Sequence, residues 1–179
     1  MPPRHRRMAF ADLALPLEHG ESMMKPVVEG RMLQALDVDP TDEVLEIGTG
    51  SGFITACLAQ LARDVVSIDI HADFIDRARA RADAVGIANL HREVADALQY
   101  RPERGFDVIA VTAAVTLVPP HFTTWLKPGG RMFVIRGHAP AQQAVLLRAD
   151  AEGRIREEGL FETELAYLVG AEPVAQFAL

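Results

Sequence analysis

Cysteine is nearly absent: Cys57 is the single one in 179 residues. A lone cysteine excludes an intrachain disulfide framework and a cysteine-based zinc site within one chain. Long apolar runs are missing too. No stretch approaches the eighteen or so residues that a membrane-spanning helix needs, so no membrane partner is expected. Positive charge is short. Lys and Arg number 18 against 25 Asp and Glu, for a net charge of −7 and a pI of about 5.3. That balance argues against a protein built chiefly to hold nucleic acid, whose footprint is basic. It also disfavours docking on an anionic membrane surface. Internal repeats and low-complexity tracts are missing as well. The basic start, residues 1–7, leads into residues 8–17, where Asp12 and Pro16 interrupt the apolar run. No small-residue cleavage pattern ends it, so a signal peptide is not expected and cytoplasmic residence is the default.

What is present has the composition of a globular domain, with 49% hydrophobic and 24% charged residues. A chain of this length buries roughly 70% of its unfolded surface and needs no covalent staple. Short apolar runs alternate with segments of helical period. Residues 43–47, 65–70, 89–94, 106–112 and 131–135 read as strands, the fourth apolar on both faces as a central parallel strand should be. Residues 27–36 read as a helix with Pro26 at its first position. Residues 51–63 and 72–85 read as two more, and a short one runs from Pro119-Pro120 to Trp125. Lys127-Pro128-Gly129-Gly130 reads as a turn. Residues 144–149, a turn at 150–153, and the chain from Arg154 onward read as an antiparallel hairpin, with residues 161–169 as a last strand. This alternation means an α/β fold with a mostly parallel sheet. Ligands in such folds sit beyond the carboxyl ends of the strands. That places the Gly48 turn, Asp69, Asp96 and Thr112 along one rim.

The most informative segment is Leu45-Glu46-Ile47-Gly48-Thr49-Gly50-Ser51-Gly52-Phe53. Three glycines alternate directly after a strand and before a helix. They let the backbone turn tightly and let a ligand approach with no Cβ in the way. Thr49 and Ser51 lie between them, and the amides at the helix start favour a carboxylate or phosphate. Asp69 ends the next strand, seventeen residues after Gly52, where a carboxylate accepts both ribose hydroxyls of a nucleoside. A dinucleotide site wants Gly-x-Gly-x-x-Gly, but the positions that would carry the third glycine hold Phe53 and Thr55. Glu46 beside a pyrophosphate would be repulsive. Beside a sulfonium and an ammonium group it is attractive, and S-adenosyl-L-methionine carries both. Asp96 is placed to accept from an adenine amino group, with Ala97 next to it, and Ile70 to cover one face of the base. A ligand-free strand–helix turn, a loop-capping role for Asp96 and plain packing for Ile70 are the competing readings. No metal site is expected.

With these residues in hand, the chain resembles the class I S-adenosylmethionine-dependent methyltransferases, and among them the protein-L-isoaspartate O-methyltransferases. The resemblance runs from about Gly20 to Gly170. Its most specific parts are residues 44–53, Phe106-Asp107-Val108-Ile109-Ala110-Val111-Thr112-Ala113-Ala114, and Leu126-Lys127-Pro128-Gly129-Gly130. It implies a Rossmann-like seven-stranded sheet with one antiparallel member, helices on both faces, and a C-terminal hairpin. It also implies a single methyltransferase domain, residues 20–179, after a partly flexible extension of residues 1–19. The family carries Gly-Gln-Thr-Ile-Ser-Gln-Pro ahead of the first helix, where the acceptor pocket forms. Here Gly20-Glu21-Ser22-Met23-Met24-Lys25-Pro26 stands there. Ser22 keeps a hydroxyl where the family has Thr. Met24 replaces the serine thought to contact the acceptor, and Lys25 replaces the neighbouring glutamine.

Ser22, Met24, Lys25 and Thr112 are therefore the acceptor-pocket candidates. Lys25 would attract an anionic substrate there, or is simply a solvated lysine at a helix start. A carboxylate acceptor is already ionised, with a pKa of about 4, and needs no general base. An amine or phenol would want one, and His19, His71, His121 and His138 are the available histidines, each more readily a surface or packing residue. The expected acceptor is a protein, a peptide or a small molecule. A cofactor-binding module without catalysis is the third reading.

Overall fold

The computed structural model describes residues 7, 8 and 11–174. Seven strands form one sheet: β1 (Glu43–Ile47), β2 (Asp64–Asp69), β3 (Leu90–Val94), β4 (Phe106–Val115), β5 (Leu126–Arg136), β6 (Gln142–Ala149) and β7 (Ile155–Thr163). Their order across the sheet is β3-β2-β1-β4-β5-β6-β7. The pairs from β3 to β5 are parallel, whereas β6 runs antiparallel to both β5 and β7. Only β6 therefore opposes the rest, as the resemblance implies. The helices are α1 (Pro26–Leu36), α2 (Phe53–Leu61), α3 (Ala72–Ala84) and α4 (Pro120–Thr124).

Alternation along the central strands splits the core in two. Val108, Ala110 and Ala114 of β4 join Phe133 and Ile135 of β5 under α1 and α2, against Met32, Leu36, Ile54 and Leu58. Ile109, Val111 and Val115 face the other way and pack with Met132, Val134, Phe122 and Trp125. Helices thus cover both faces, unequally. The second face has only the five residues of α4, because β5 passes to β6 through a short turn and no helix. Both inner strands are buried on both faces, which explains their unbroken apolar runs.

Two expectations for the C-terminal half need correction. Residues 127–130 interrupt no strand. They bulge within β5, so that Phe106 pairs with Leu126 and Val108 with Arg131. Residues 161–169 are not a last strand. β7 ends at Thr163, where the Leu165 amide donates to Gln142 Oε1, 2.7 Å. The chain then crosses the carboxyl end of β4 and pairs there as a single bridge between Ala114 and Tyr167. Its alternating apolar residues serve a crossing strap, not a sheet edge.

The two rims of the sheet differ. At the amino ends, Glu43 of β1 holds Lys127 Nζ at 2.5 Å and Arg63 at 2.8 Å, Asp107 takes Lys127 at 2.7 Å, and Arg104 ties Glu43 to Asp64. This network clamps β1, β2, β4 and β5 together. Nearby, Arg131 of β5 donates to the carbonyls of Leu36 and Asp37 and to Asp42 Oδ2, capping the otherwise orphaned end of α1. Removing a partly buried, charge-assisted hub of this kind costs about 1–3 kcal/mol. Arg131→Ala should show that loss in urea unfolding, with cofactor affinity of the remaining folded protein unchanged.

Candidate active site

The opposite rim, at the carboxyl ends of β1, β2, β3 and β4, opens into a cleft of about 600 Å³ counting its mouth. Its floor begins at the turn after β1. Gly48, Gly50 and Gly52 have φ of 98°, 49° and 75°, all in the left-handed region that favours glycine. A Cβ on Gly48 would also run into Thr112 Oγ1, and one on Gly52 would press against Ala78 of α3 at 3.0 Å. Gly52 therefore serves helix packing and does not line the cleft.

Asp69 holds this turn in place. Its Oδ2 accepts the Gly50 amide and its Oδ1 the His71 amide, both at 2.9 Å. One carboxylate thus fixes the glycine turn and the start of α3. Each oxygen keeps a free lone pair toward the cleft. Asp96 is likewise pinned, taking the Leu98 amide at 2.9 Å and Gln99 Nε2 at 2.8 Å. Asp69, Ile70, Asp96, Ala97, Gly48, Gly50, Ser22 and Thr112 all line the cleft. Thr112 Oγ1 donates to the Gly48 carbonyl at 2.6 Å, so its hydroxyl supports the turn.

A continuation of the cleft on the other side of the glycine turn is bounded by Thr49, Ser51, Ile54, Met23, Met24 and Glu29. It shares Leu17, Ser22, Gly48, Gly50 and Thr112 with the first part. A second cavity, about 660 Å³ counting its mouth, adjoins through Ser22, Met24 and Tyr167. Lys25 lines this cavity with Glu164, and is the cation of its wall. Lys25 is exposed, whereas Met24 is 4% exposed and packs against α1.

Glu46 departs from expectation. It lies on the face of β1 that α2 covers, fully buried, and does not line the cleft. Thr55 and Ser67 hydroxyls each donate to its Oε2 at 2.5 Å, and Thr49 in turn bonds Ser67 at 2.6 Å. Burial pushes its carboxyl up to about 8, against the lowering effect of the two hydroxyls. At neutral pH it is mostly uncharged. The acid next to the glycines is thus part of the floor's support, not a counter-ion on its surface.

Several cleft residues carried no local signal. Residues 15–22 form a strap: Pro16 bridges Ser22, Leu15 is buried, and Leu17 reaches the glycine turn. His19 ties the strap to α3, stacking on His71 at 4.0 Å and meeting Asp73 at 2.8 Å. Glu21 from this strap and Tyr167, Leu168 and Val169 from the crossing strap complete the walls. Tyr167 is anchored by donating to the Gly137 carbonyl at 3.0 Å and accepting the Ala139 amide at 2.9 Å. The resemblance at Gly20 to Pro26 is the hint of the strap, and residues 161–169 read only as a strand. His121 and His138 are not in the walls of either cavity. The expected extension, residues 1–19, falls partly outside the described residues. Among those described, no metal-holding cluster occurs and no helix is long and apolar enough to cross a membrane.

The family model for protein-L-isoaspartate(D-aspartate) O-methyltransferase matches residues 1–172. The chain belongs to that family. A protein-L-isoaspartate O-methyltransferase 1 from a Polaromonas species is 36% identical, over 96% of this chain and 76% of that one. Another from an Anaeromyxobacter species is 43% identical over 86% of this chain and 72% of that one. Among solved structures, one protein-L-isoaspartate O-methyltransferase is 26% identical with a TM-score of 0.76, covering 87% of this chain and 52% of that one. A Plasmodium falciparum protein described by the same activity, crystallised with S-adenosyl-L-homocysteine, shares the fold. Its TM-score is 0.80 at 18% identity, over 91% of this chain and 83% of that one. The fold of this chain is thus that of the protein-L-isoaspartate O-methyltransferase family.

The buried Glu46 has a measurable signature. A carboxyl raised on folding, from 4.5 to about 8, adds stability that is complete below pH 4.5 and is lost as pH rises through 8. Glu46→Gln has no proton to lose. Its stability should fall less steeply between pH 5 and 8 than that of the parent, the gap widening by a few kcal/mol across that window. Urea unfolding at pH 5, 6.5 and 8 reads this directly, and parallel curves would refute the neutral carboxyl.

Proposed function

We infer that this chain transfers a methyl group from S-adenosyl-L-methionine to the carboxylate of isoaspartyl or D-aspartyl residues in peptides. The observation that carries the reading is the composition of the cleft. Among the described residues its walls hold four acids, Glu21, Asp69, Glu29 and Asp96, and no Lys or Arg. A phosphate-bearing nucleotide would meet repulsion throughout, whereas a nucleoside bearing cations fits. Bound there, the cofactor supplies a methyl group made electrophilic by a sulfonium.

The chain's own residues then bind and align. Asp69 takes ribose hydroxyls on its free lone pairs, Asp96 and Ala97 border the base, and exposed Ile70 covers one face of it. The glycine turn brings α2's first amides toward the cofactor's carboxylate. The acceptor enters by the adjoining cavity, past Ser22, Met24 and Tyr167, where Lys25 offers a positive charge to its carboxylate. A carboxylate nucleophile needs no proton removed, so neither His71 nor any acid of the cleft has to act as a base. Alignment alone supplies a large part of such a rate enhancement.

Met24 favours one second reading. It fills the serine position with an apolar side chain bordering both cavities, which suits an apolar small-molecule acceptor.

Purified protein with labelled cofactor should methylate an isoaspartyl peptide and leave the aspartyl peptide untouched, giving a base-labile product. Absence of turnover with cofactor binding intact would refute the acceptor assignment and turn attention to metabolites. Asp69→Ala should weaken cofactor binding at least about tenfold, because two hydroxyl acceptors and the anchor of the glycine turn go together. In the same assay Lys25→Ala should raise the peptide's KM about tenfold with cofactor affinity unchanged.

A further inference from the structure

Glu29 is the unexplained acid of the molecule. It sits in the first turn of α1, is 6% exposed, and its carboxylate makes no hydrogen bond or ion pair with any described residue. Natural interiors rarely tolerate this, since an unpaired buried carboxylate costs free energy with nothing to offset it. Yet Glu29 is not sealed in. It borders the part of the cleft formed by Thr49, Gly50 and Ser51. The other acids of the cleft, Glu21, Asp69 and Asp96, line its other part, and Glu46 has turned inward.

We propose that Glu29 is the counter-ion for the α-ammonium group of the cofactor's amino-acid end. This rests on the cofactor reading above and adds a residue to it. The geometry restricts the choice. The Gly48, Gly50 and Gly52 amides already donate to Ile68, Asp69 and Thr49, and that of Phe53 to Ser51 Oγ, which leaves the Thr49 and Ser51 amides of the turn for a carboxylate in Glu29's part of the cleft. In an α-amino acid the ammonium sits on the carbon next to that carboxylate. An acid facing the same turn from α1 therefore meets the ammonium, while the ribose lies with Asp69. Burial raises the Glu29 carboxyl to about 7. A bound cation lowers it again and recovers the ion pair, and the amino end of α1 favours the same charged form. The titratable group that interacts with Glu29 among the described residues is Cys57 of α2.

Calorimetry with three ligands tests this on the full chain. S-adenosylmethionine and S-adenosylhomocysteine carry the ammonium, and methylthioadenosine has the nucleoside and sulfur without it. Glu29→Gln should weaken the first two by about ten- to a hundredfold and leave methylthioadenosine within about twofold. Glu29→Leu should melt at a higher temperature than the parent, because a buried lone acid is gone, and still bind S-adenosylhomocysteine poorly. A purely structural role predicts the reverse pattern. Loss for S-adenosylmethionine alone would assign Glu29 to the sulfonium and overturn the proposal. Equal binding of all three ligands by parent and variant, or a fall in turnover with no change in binding, would overturn it as well. If the parent binds none of the three, the cofactor reading itself fails, which is a separate outcome.

Discussion

The site depends on one carboxylate that holds two loops at once. Asp69 accepts an amide from the glycine turn after β1 and another from the turn that opens α3. β1 and β2 are neighbours in a parallel pair, so both turns emerge on the same rim. Without that tie, a turn with three left-handed glycines in five residues would be among the most mobile segments of the chain, since glycine loses more conformational freedom on ordering than any other residue. With it, the turn is set before a ligand arrives, and the same carboxylate still presents lone pairs to that ligand. Structural and functional work are therefore inseparable at Asp69.

Stability and function pull apart elsewhere on the rim. Glu46 and Glu29 are both buried acids, at 0% and 6% exposure, and each has a carboxyl raised by burial. Their surroundings differ. Glu46 is satisfied on one oxygen by two hydroxyls from α2 and β2, and through Ser67 it supports Thr49 of the glycine turn. It stiffens the floor while remaining uncharged. Glu29 has no such partners and opens onto the cleft. The amino rim of the sheet shows the contrast, where acids and bases pair fully around Glu43 and nothing is left for a ligand.

How far the sequence could be read follows from how local each signal was. The five parallel strands, α1 to α3 and the glycine turn each announce themselves within a dozen residues, by period or by glycine spacing. Asp69 is legible because a strand's end is legible. The direction of Glu46 is not. A central parallel strand is buried on both faces, so alternation does not say which face looks toward the ligand, and Glu46 shares the α2 side with Val44. How the strap at residues 15–22 and the crossing segment around Tyr167 fold over the cleft was also beyond reach, although Ser22 itself was legible. They owe their place to partners far along the chain, such as Ala114 for Tyr167 and Asp73 for His19. Alternating apolar residues around Phe161 to Val169 fit a strand equally well, and only the exit of the chain at Gln142 decides against one.

Charge is distributed between the two cavities in a way that suits the reaction class. Among the described residues the cleft carries four acids and His71 but no Lys or Arg, and Lys25 stands in the adjoining wall. A transfer from a cation to a carboxylate cancels two opposite charges as it proceeds. Water stabilises the separated charges before reaction more than their partly neutralised arrangement at the barrier, so excluding water favours the step. The walls between the cavities serve that end, with Met24 buried, Leu17 over the glycine turn, and the ring of Tyr167 held in place by two hydrogen bonds. Met24 then has a physical role even at a position where a hydroxyl would be familiar. An apolar side chain there dries the junction, and the charged recognition of the acceptor passes to its neighbour Lys25, one residue further along at the start of α1.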